Sequence, residues 1–147
     1  MEISTCSGAI SLAKQLENDS AKVYQELAQK LEKEKDLFLG FAKDNGKYYT
    51  QIERAYYGVI TDAIEGCFAF NLNPDHYQFK KTLPENIGPK EAIAEALKME
   101  ESMLEFCQTA AEQSKHLMAD VPRAFSLVAK KRSERISKLK ELLEKTK

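Results

Sequence analysis

The sequence predicts an all-α protein that folds as one four-helix bundle. Four stretches repeat apolar residues at spacings of three and four, and no stretch alternates apolar and polar residues cleanly enough for a β-strand. The chain has 147 residues, which is enough for one domain with a substantial core and too few for two comfortable ones. We therefore expect a single domain over 1–147, with helices at roughly 7–31, 36–65, 89–117 and 122–145.

The composition narrows the classes of function. Apolar residues make up 43% of the chain, which argues against disorder. Lys and Arg number 22 against 23 Asp and Glu, and this balance gives no reason to expect binding to nucleic acid or to an acidic membrane. We expect neither a signal peptide nor a membrane span, because no apolar stretch reaches the required length of about 18 residues.

Cysteine usage indicates a reducing compartment. The three cysteines, Cys6, Cys67 and Cys107, are widely spaced and form no C-x-x-C motif, which excludes the common zinc and redox pairs. Free thiols suit the cytosol, so we predict a cytoplasmic protein. Cys107 is expected to behave as a small buried hydrophobe, with a redox thiol as the alternative.

Connection lengths predict the topology. Short connections join helices 1 and 2 and, across "LMAD", helices 3 and 4, so each pair should be antiparallel neighbours. The segment 66–88 between helices 2 and 3 is too long for a simple turn but long enough to span the bundle, which would make those helices parallel. One long crossover is the ferritin-like arrangement. Its aromatics, Phe68, Phe70, Tyr77 and Phe79, could pack onto the bundle or serve a dimer contact.

Polar residues interrupt each apolar stripe near its middle. The interruptions are Glu17 in helix 1, Asn45 and Tyr48 in helix 2, Glu100 in helix 3, and Arg132 and Arg135 in helix 4. A single polar residue on a stripe is usually a snorkelling chain. Interruptions at similar depth on all four helices predict one central polar cluster.

Two of these stripes carry a recognisable motif. In "LENDSAKVYQEL", Glu17 is followed by Tyr24 seven residues later, and in "MEESMLEFCQTAAE" Glu100 is followed at that spacing by Cys107. On these motifs and the helix order, the chain resembles the rubrerythrin-like branch of the ferritin-like superfamily over nearly its whole length. That resemblance implies a site for two iron atoms, held by a lone Glu on each of two helices and a Glu-x-x-His pair on each of the others. It makes Glu17 and Glu100 the surviving ligand positions. The family commonly has a Tyr seven residues after each lone Glu, so the resemblance places Tyr24 in the central polar cluster and Cys107 where a second Tyr is usual.

The other two helices depart from the family pattern. Where it has Glu-x-x-His, "FAKDNGKYYTQI" has Asn45 and Tyr48, and "VAKKRSERISKL" has Arg132 and Arg135. The rubredoxin-like module with paired C-x-x-C motifs, carried by larger members, is also missing. Arginine has no acceptor atom and keeps its proton, so it cannot replace a metal ligand. The di-iron site is therefore expected to be degenerate.

Charge balance suggests what replaces the metals. Glu17 and Glu100 contribute two negative charges, and Arg132 and Arg135 contribute two positive charges. Buried carboxylates must be paired or protonated, and guanidinium groups pair well with them. We expect a buried Glu/Arg cluster whose hydrogen bonding Asn45 and Tyr48 complete. In the alternative, the arginines reach solvent at the rim of the bundle.

Three functional interpretations remain open. The lost ligands favour a non-catalytic structural, regulatory or partner-binding protein without a cofactor. The first alternative is a rubrerythrin-type peroxidase or oxidase with a di-iron or single-metal site, in which iron would be the cofactor. The second is a small-molecule binder. The amphipathic helices also leave room for a homodimer.

Overall fold

The computed structural model describes residues 2–59, 70–115 and 120–146, and these form four α-helices. The helices are α1 (Cys6–Lys30), α2 (Lys35–Val59), α3 (Pro89–Ser114) and α4 (Asp120–Lys145). Two short 3-10 helices, Glu32–Glu34 and Pro74–Tyr77, lie in the connections. The described residues contain no strand, only an isolated antiparallel bridge between Ile3 and Leu72. The all-α prediction is confirmed at this level.

The helix starts follow local chemistry. The Thr5 hydroxyl accepts a hydrogen bond from the Gly8 amide at 3.0 Å, which caps α1. Pro89 occupies the first turn of α3, where its missing N–H has no helical partner to lose. Helix α4 begins at Asp120, before the predicted start at residue 122. Some of the predictions fall outside the described residues. These are the end of helix 2 at residue 65, the end of helix 3 at residue 117, and the roles of Cys67 and Phe68.

The bundle is built from two helical hairpins. Helix α1 packs most closely on α2, and α3 on α4, while fewer contacts join α2 to α4 and α1 to α3. Along the first hairpin, Asn45 contacts Glu17 and Lys14 lies over the Tyr49 ring, so these helices are antiparallel. The described helices include none with both the length and the apolar character of a membrane span.

The segment that precedes α3 contacts both ends of α1. The Ile3 and Leu72 backbones exchange two hydrogen bonds of 2.6 and 2.9 Å near the start of α1. At the other end, the Leu83 amide donates to the Glu26 carboxylate at 3.0 Å, and the Lys30 ammonium donates to the Glu85 carbonyl at 3.2 Å.

Aromatic contacts build the core on either side of mid-height. One group joins Tyr24 to Phe38 and Phe41, with ring centroids 5.3 to 6.1 Å apart. Another runs from Tyr77 through Phe106 to Phe125, with centroids 5.4 and 5.8 Å apart. Tyr77 therefore fixes the connecting segment to α3, consistent with a segment that packs onto the bundle.

Candidate functional site

All seven residues predicted to form the central polar cluster lie together in the middle of the bundle. They are Glu17 and Tyr24 on α1, Asn45 and Tyr48 on α2, Glu100 on α3, and Arg132 and Arg135 on α4. Spacings of three and seven residues bring each pair onto one face of its helix. Neither arginine reaches solvent, because Arg132 is 0% and Arg135 2% exposed. We call these residues the Glu/Arg cluster.

Arg132 joins the two carboxylates. Its Nη1 donates to both oxygens of Glu100, at 2.7 Å to Oε1 and 2.9 Å to Oε2. Its Nη2 donates to Oε1 of Glu17. One guanidinium therefore lies between acidic groups carried by α1 and α3, the helices on which the resemblance places the lone glutamates.

Arg135 connects the same layer to α2. Its Nη1 donates to Asn45 Oδ1 at 2.7 Å and to Glu100 Oε1 at 3.0 Å, and its Nη2 donates to the Phe41 carbonyl at 3.3 Å. Its guanidinium carbon lies 4.5 Å from the ring centroid of Phe41 and 5.2 Å from those of Tyr24 and Tyr48. Such contacts are favourable cation–π interactions when water is excluded.

The remaining members complete the hydrogen bonding. The Tyr24 hydroxyl donates to Glu100 Oε1, and the Asn45 amide donates to the Glu17 carbonyl at 3.2 Å. The half-buried Tyr48 places its ring 5.3 Å from the Arg132 guanidinium. Glu100 is the centre of the network, because its Oε1 accepts from Tyr24, Arg132 and Arg135 together.

Burial and mutual charge set the electrostatics. Burial raises the pKa of Glu100, against the opposing effects of Arg135 and the Tyr24 hydroxyl. Burial, and then the adjacent Arg135 charge, lower the pKa of Arg132. Burial alone would lower the pKa of Arg135, but the Glu100 carboxylate and two tyrosines raise it overall. Burial therefore opposes the charged form of all three groups, and for Glu100 and Arg135 the neighbouring group of opposite charge favours it.

Two further residues interact with this layer although they were not singled out as site residues. Phe41 supplies a carbonyl acceptor and a ring to Arg135. It lies four residues before Asn45 on the same stripe, but a backbone acceptor has no sequence signature. Cys107, which stands where the resemblance places a second tyrosine, is buried, and burial together with the Glu100 charge raises the pKa of its thiol.

The donor set does not fit a di-iron centre. That centre uses four Glu and two His, whereas the cluster offers two carboxylates whose oxygens already accept from guanidinium groups. Within the described ranges, no group of three or more His, Cys, Asp or Glu side chains is arranged to hold a metal ion.

One open cavity lies away from the cluster. Its volume is about 1070 Å³, and it lies beside the α1–α2 connection and the end of α4, with Leu31, Ile93 and Leu142 in its wall. No cluster residue lines it. The cavity therefore gives no support to a small-molecule site at the polar layer.

Comparisons with known proteins identify no family for this chain. No protein-family model, no curated protein and no solved structure matches it. The rubrerythrin-like resemblance therefore stays a prediction that rests on the motifs around Glu17 and Glu100.

Proposed function

We propose that this chain is a non-catalytic, ferritin-like bundle in which the Glu/Arg cluster takes the place of a di-iron centre. Its role would be structural, regulatory or partner-binding. The observation that carries the proposal is the position of the Arg132 guanidinium between Glu17 and Glu100. Those two carboxylates occupy the positions that the family resemblance assigns to metal ligands.

The contacts of the connecting segment support ferritin-like connectivity. Leu72 lies beside the start of α1, while Leu83 and Glu85 contact its end. A chain that leaves antiparallel α2 near the start of α1 and follows this path would make α2 and α3 parallel. That is the arrangement with one long crossover.

Electrostatic repulsion by the two arginines supports a cluster without iron. A divalent ion bound to Glu17 or Glu100 would lie within about 5 Å of a guanidinium, at a cost of roughly 6 to 7 kcal/mol at an effective dielectric near 20. Without metal, the two carboxylates balance the two guanidinium groups. The cluster therefore meets its charge requirement with side chains alone.

The hydrogen bonds between the two hairpins support a structural role for the cluster. The Arg132–Glu17, Arg135–Asn45, Arg135–Phe41 and Tyr24–Glu100 hydrogen bonds all join one hairpin to the other. Directional bonds at a single depth allow few relative positions of the hairpins. We propose that the cluster fixes their register, a role that buried polar groups serve in some helical proteins.

Metal content of the purified protein tests the proposal. After growth in iron-rich medium, elemental analysis should find no stoichiometric metal, and added peroxide should not be consumed above the buffer rate. Two irons per chain with the absorption of an oxo-bridged pair would contradict the proposal and favour the peroxidase alternative. A ligand screen by thermal shift would address the small-molecule alternative, and light scattering would address the predicted homodimer.

A variant that carries the ligand set implied by the resemblance tests whether these four positions are assigned correctly. The quadruple variant N45E/Y48H/R132E/R135H restores four Glu and two His in the family pattern. If the assignment of positions is right, the helical variant should bind cobalt(II) with visible ligand-field bands, whereas the parent chain should not. A folded variant that shows no cobalt bands would contradict the assignment.

A further inference from the structure

The Glu/Arg cluster contains a buried donor without a protein partner. A guanidinium has five N–H donors. Arg132 directs Nη1 to Glu100 and Nη2 to Glu17, but its buried Nε has no hydrogen-bond partner among the described protein atoms. The two oxygens of Glu100 already accept four hydrogen bonds from other donors, three of them on Oε1.

A buried hydroxyl shares this property. Ser20 is 0% exposed, and within the described part of the chain its Oγ also lacks a partner. It follows Glu17 by three residues and precedes Tyr24 by four, so all three side chains lie on one inward face of α1. The other fully buried serine, Ser114, behaves differently, because its hydroxyl donates to the Ala110 carbonyl at 2.7 Å.

We propose that an internal water molecule binds in the Glu/Arg cluster, accepting a hydrogen bond from Arg132 Nε and bonding to Ser20 Oγ. Leaving such buried groups unpaired is unfavourable, because they lose their hydrogen bonds to water without replacing them. Internal waters typically form about three hydrogen bonds to buried groups that the protein leaves unsatisfied. Ser20 contributes a partner that can donate or accept, and it lies one helical turn after Glu17, whose carboxylate accepts from Arg132.

The chemistry of the site selects a neutral molecule that accepts a hydrogen bond. The charges of Glu17 and Glu100 already balance those of Arg132 and Arg135, so an added anion or cation would leave a net buried charge. Arg132 Nε is a donor and requires an acceptor. Water satisfies both conditions and is small enough for a position between packed helices.

A high-resolution crystal structure and magnetic relaxation dispersion of water nuclei test this proposal on the full chain. We expect a solvent peak within hydrogen-bonding distance of both Arg132 Nε and Ser20 Oγ, together with a long-lived internal water in solution. A map without solvent at Arg132 Nε, or with Ser20 Oγ bonded to a carbonyl of its own helix, would overturn it.

A pair of serine variants provides the control. Ser20→Ala should remove one long-lived water from the dispersion amplitude, since it deletes one of the water's protein partners. Ser114→Ala deletes an equally buried hydroxyl that is satisfied within its helix, so the number of long-lived waters should not change. Equal amplitudes in wild type and both variants would count against a water held by Ser20.

Discussion

Arg132 donates from one nitrogen to both carboxylate oxygens of Glu100, at 2.7 and 2.9 Å, where neither side chain is exposed to solvent. This contact holds α4 to α3 within one hairpin, and the second nitrogen extends the same guanidinium to Glu17 in the other hairpin. The stability of the bundle should therefore respond to Arg132 far more than to any surface arginine or lysine.

Truncation of Arg132 is the first prediction. Arg132→Ala should lower the free energy of unfolding by about 3 to 5 kcal/mol, because it removes the guanidinium that the buried Glu17 and Glu100 carboxylates share. Chemical denaturation monitored by circular dichroism measures the loss. Lys131→Ala is the control, since the neighbouring lysine forms only an exposed pair with Glu134 and should change stability by about 0.5 kcal/mol or less. A loss below about 1 kcal/mol for Arg132→Ala would show that its charge pairing is unimportant.

Arg135 offers a test by chemical rescue. Arg135→Ala should leave a space beside the Phe41 and Tyr24 rings and next to the Glu100 carboxylate. Ethylguanidinium at low, non-denaturing concentration should then raise the melting temperature of the variant by several degrees and leave that of the wild type unchanged. Neutral ethylurea, which has a similar shape, should have no such effect. Equal shifts with both compounds would show that charge does not matter at this position.

Alkaline pH provides a third prediction. Burial raises the pKa values of Tyr24, Tyr48 and Tyr77 above their ordinary value of 10.0, and burial together with Glu53 raises that of Tyr49 to about 12. Between the unfolded and folded pKa values, the folded chain holds more protons. Stability should therefore fall as pH rises above about 10.

Absorbance at the tyrosinate band and helical circular dichroism, followed in one titration, measure this effect. The buried tyrosines should ionise only as helicity is lost. Tyr49→Phe should remove a single ionisation near pH 12. If all the tyrosines ionised at a pH lower than the pH at which helicity is lost, that result would contradict the packing described for Tyr24.

Two glycines should respond in opposite directions to the same substitution. A Cβ on Gly8 would lie 2.8 Å from Ile3 Cγ2 and 3.1 Å from the capping Thr5 hydroxyl, whereas a Cβ on Gly46 would meet nothing within 4 Å. Gly8→Ala should therefore destabilise the protein by about 1 kcal/mol or more through overpacking. Gly46→Ala should stabilise it by about 0.5 to 1 kcal/mol through helix propensity. Thermal denaturation of the two variants would reveal whether the signs differ.

Cys107 should be unreactive in the folded protein. Its thiol is buried, and burial raises its pKa, so little thiolate forms at neutral pH. Alkylation followed by peptide mass mapping should find Cys107 unmodified under native conditions and modified in denaturant. Rapid native alkylation at this position would instead favour the redox alternative.

The sequence was informative where side-chain periodicity carried the signal. Interrupted apolar stripes placed Glu17, Asn45, Glu100 and the two arginines at one depth, because helix periodicity alone determines which residues share a face. The Phe41 carbonyl contact could not be foreseen, since every residue has a carbonyl and its use depends on the relative position of α2 and α4. The unpartnered Ser20 hydroxyl is likewise a property of tertiary packing.

Helix boundaries were predictable only approximately. Helix 4 was predicted to start at residue 122, a proline, but α4 begins at Asp120 and includes Pro122 in its first turn. Proline is tolerated there because the first N–H groups of a helix have no intrahelical acceptor. The bridge between Ile3 and Leu72 joins residues far apart in the chain, and no local sequence pattern predicts it.

The position of Arg132 between carboxylates from two different hairpins also constrains how this sequence can diverge. Losing the arginine removes the guanidinium that Glu17 and Glu100 share, and losing either acid removes one of the two carboxylates paired with that guanidinium. Intermediates along such paths would be poorly folded. In descendants of this chain, residues 17, 100 and 132 should consequently be exchanged together. An alignment in which they vary independently would indicate that other residues can compensate for the lost charge pairing.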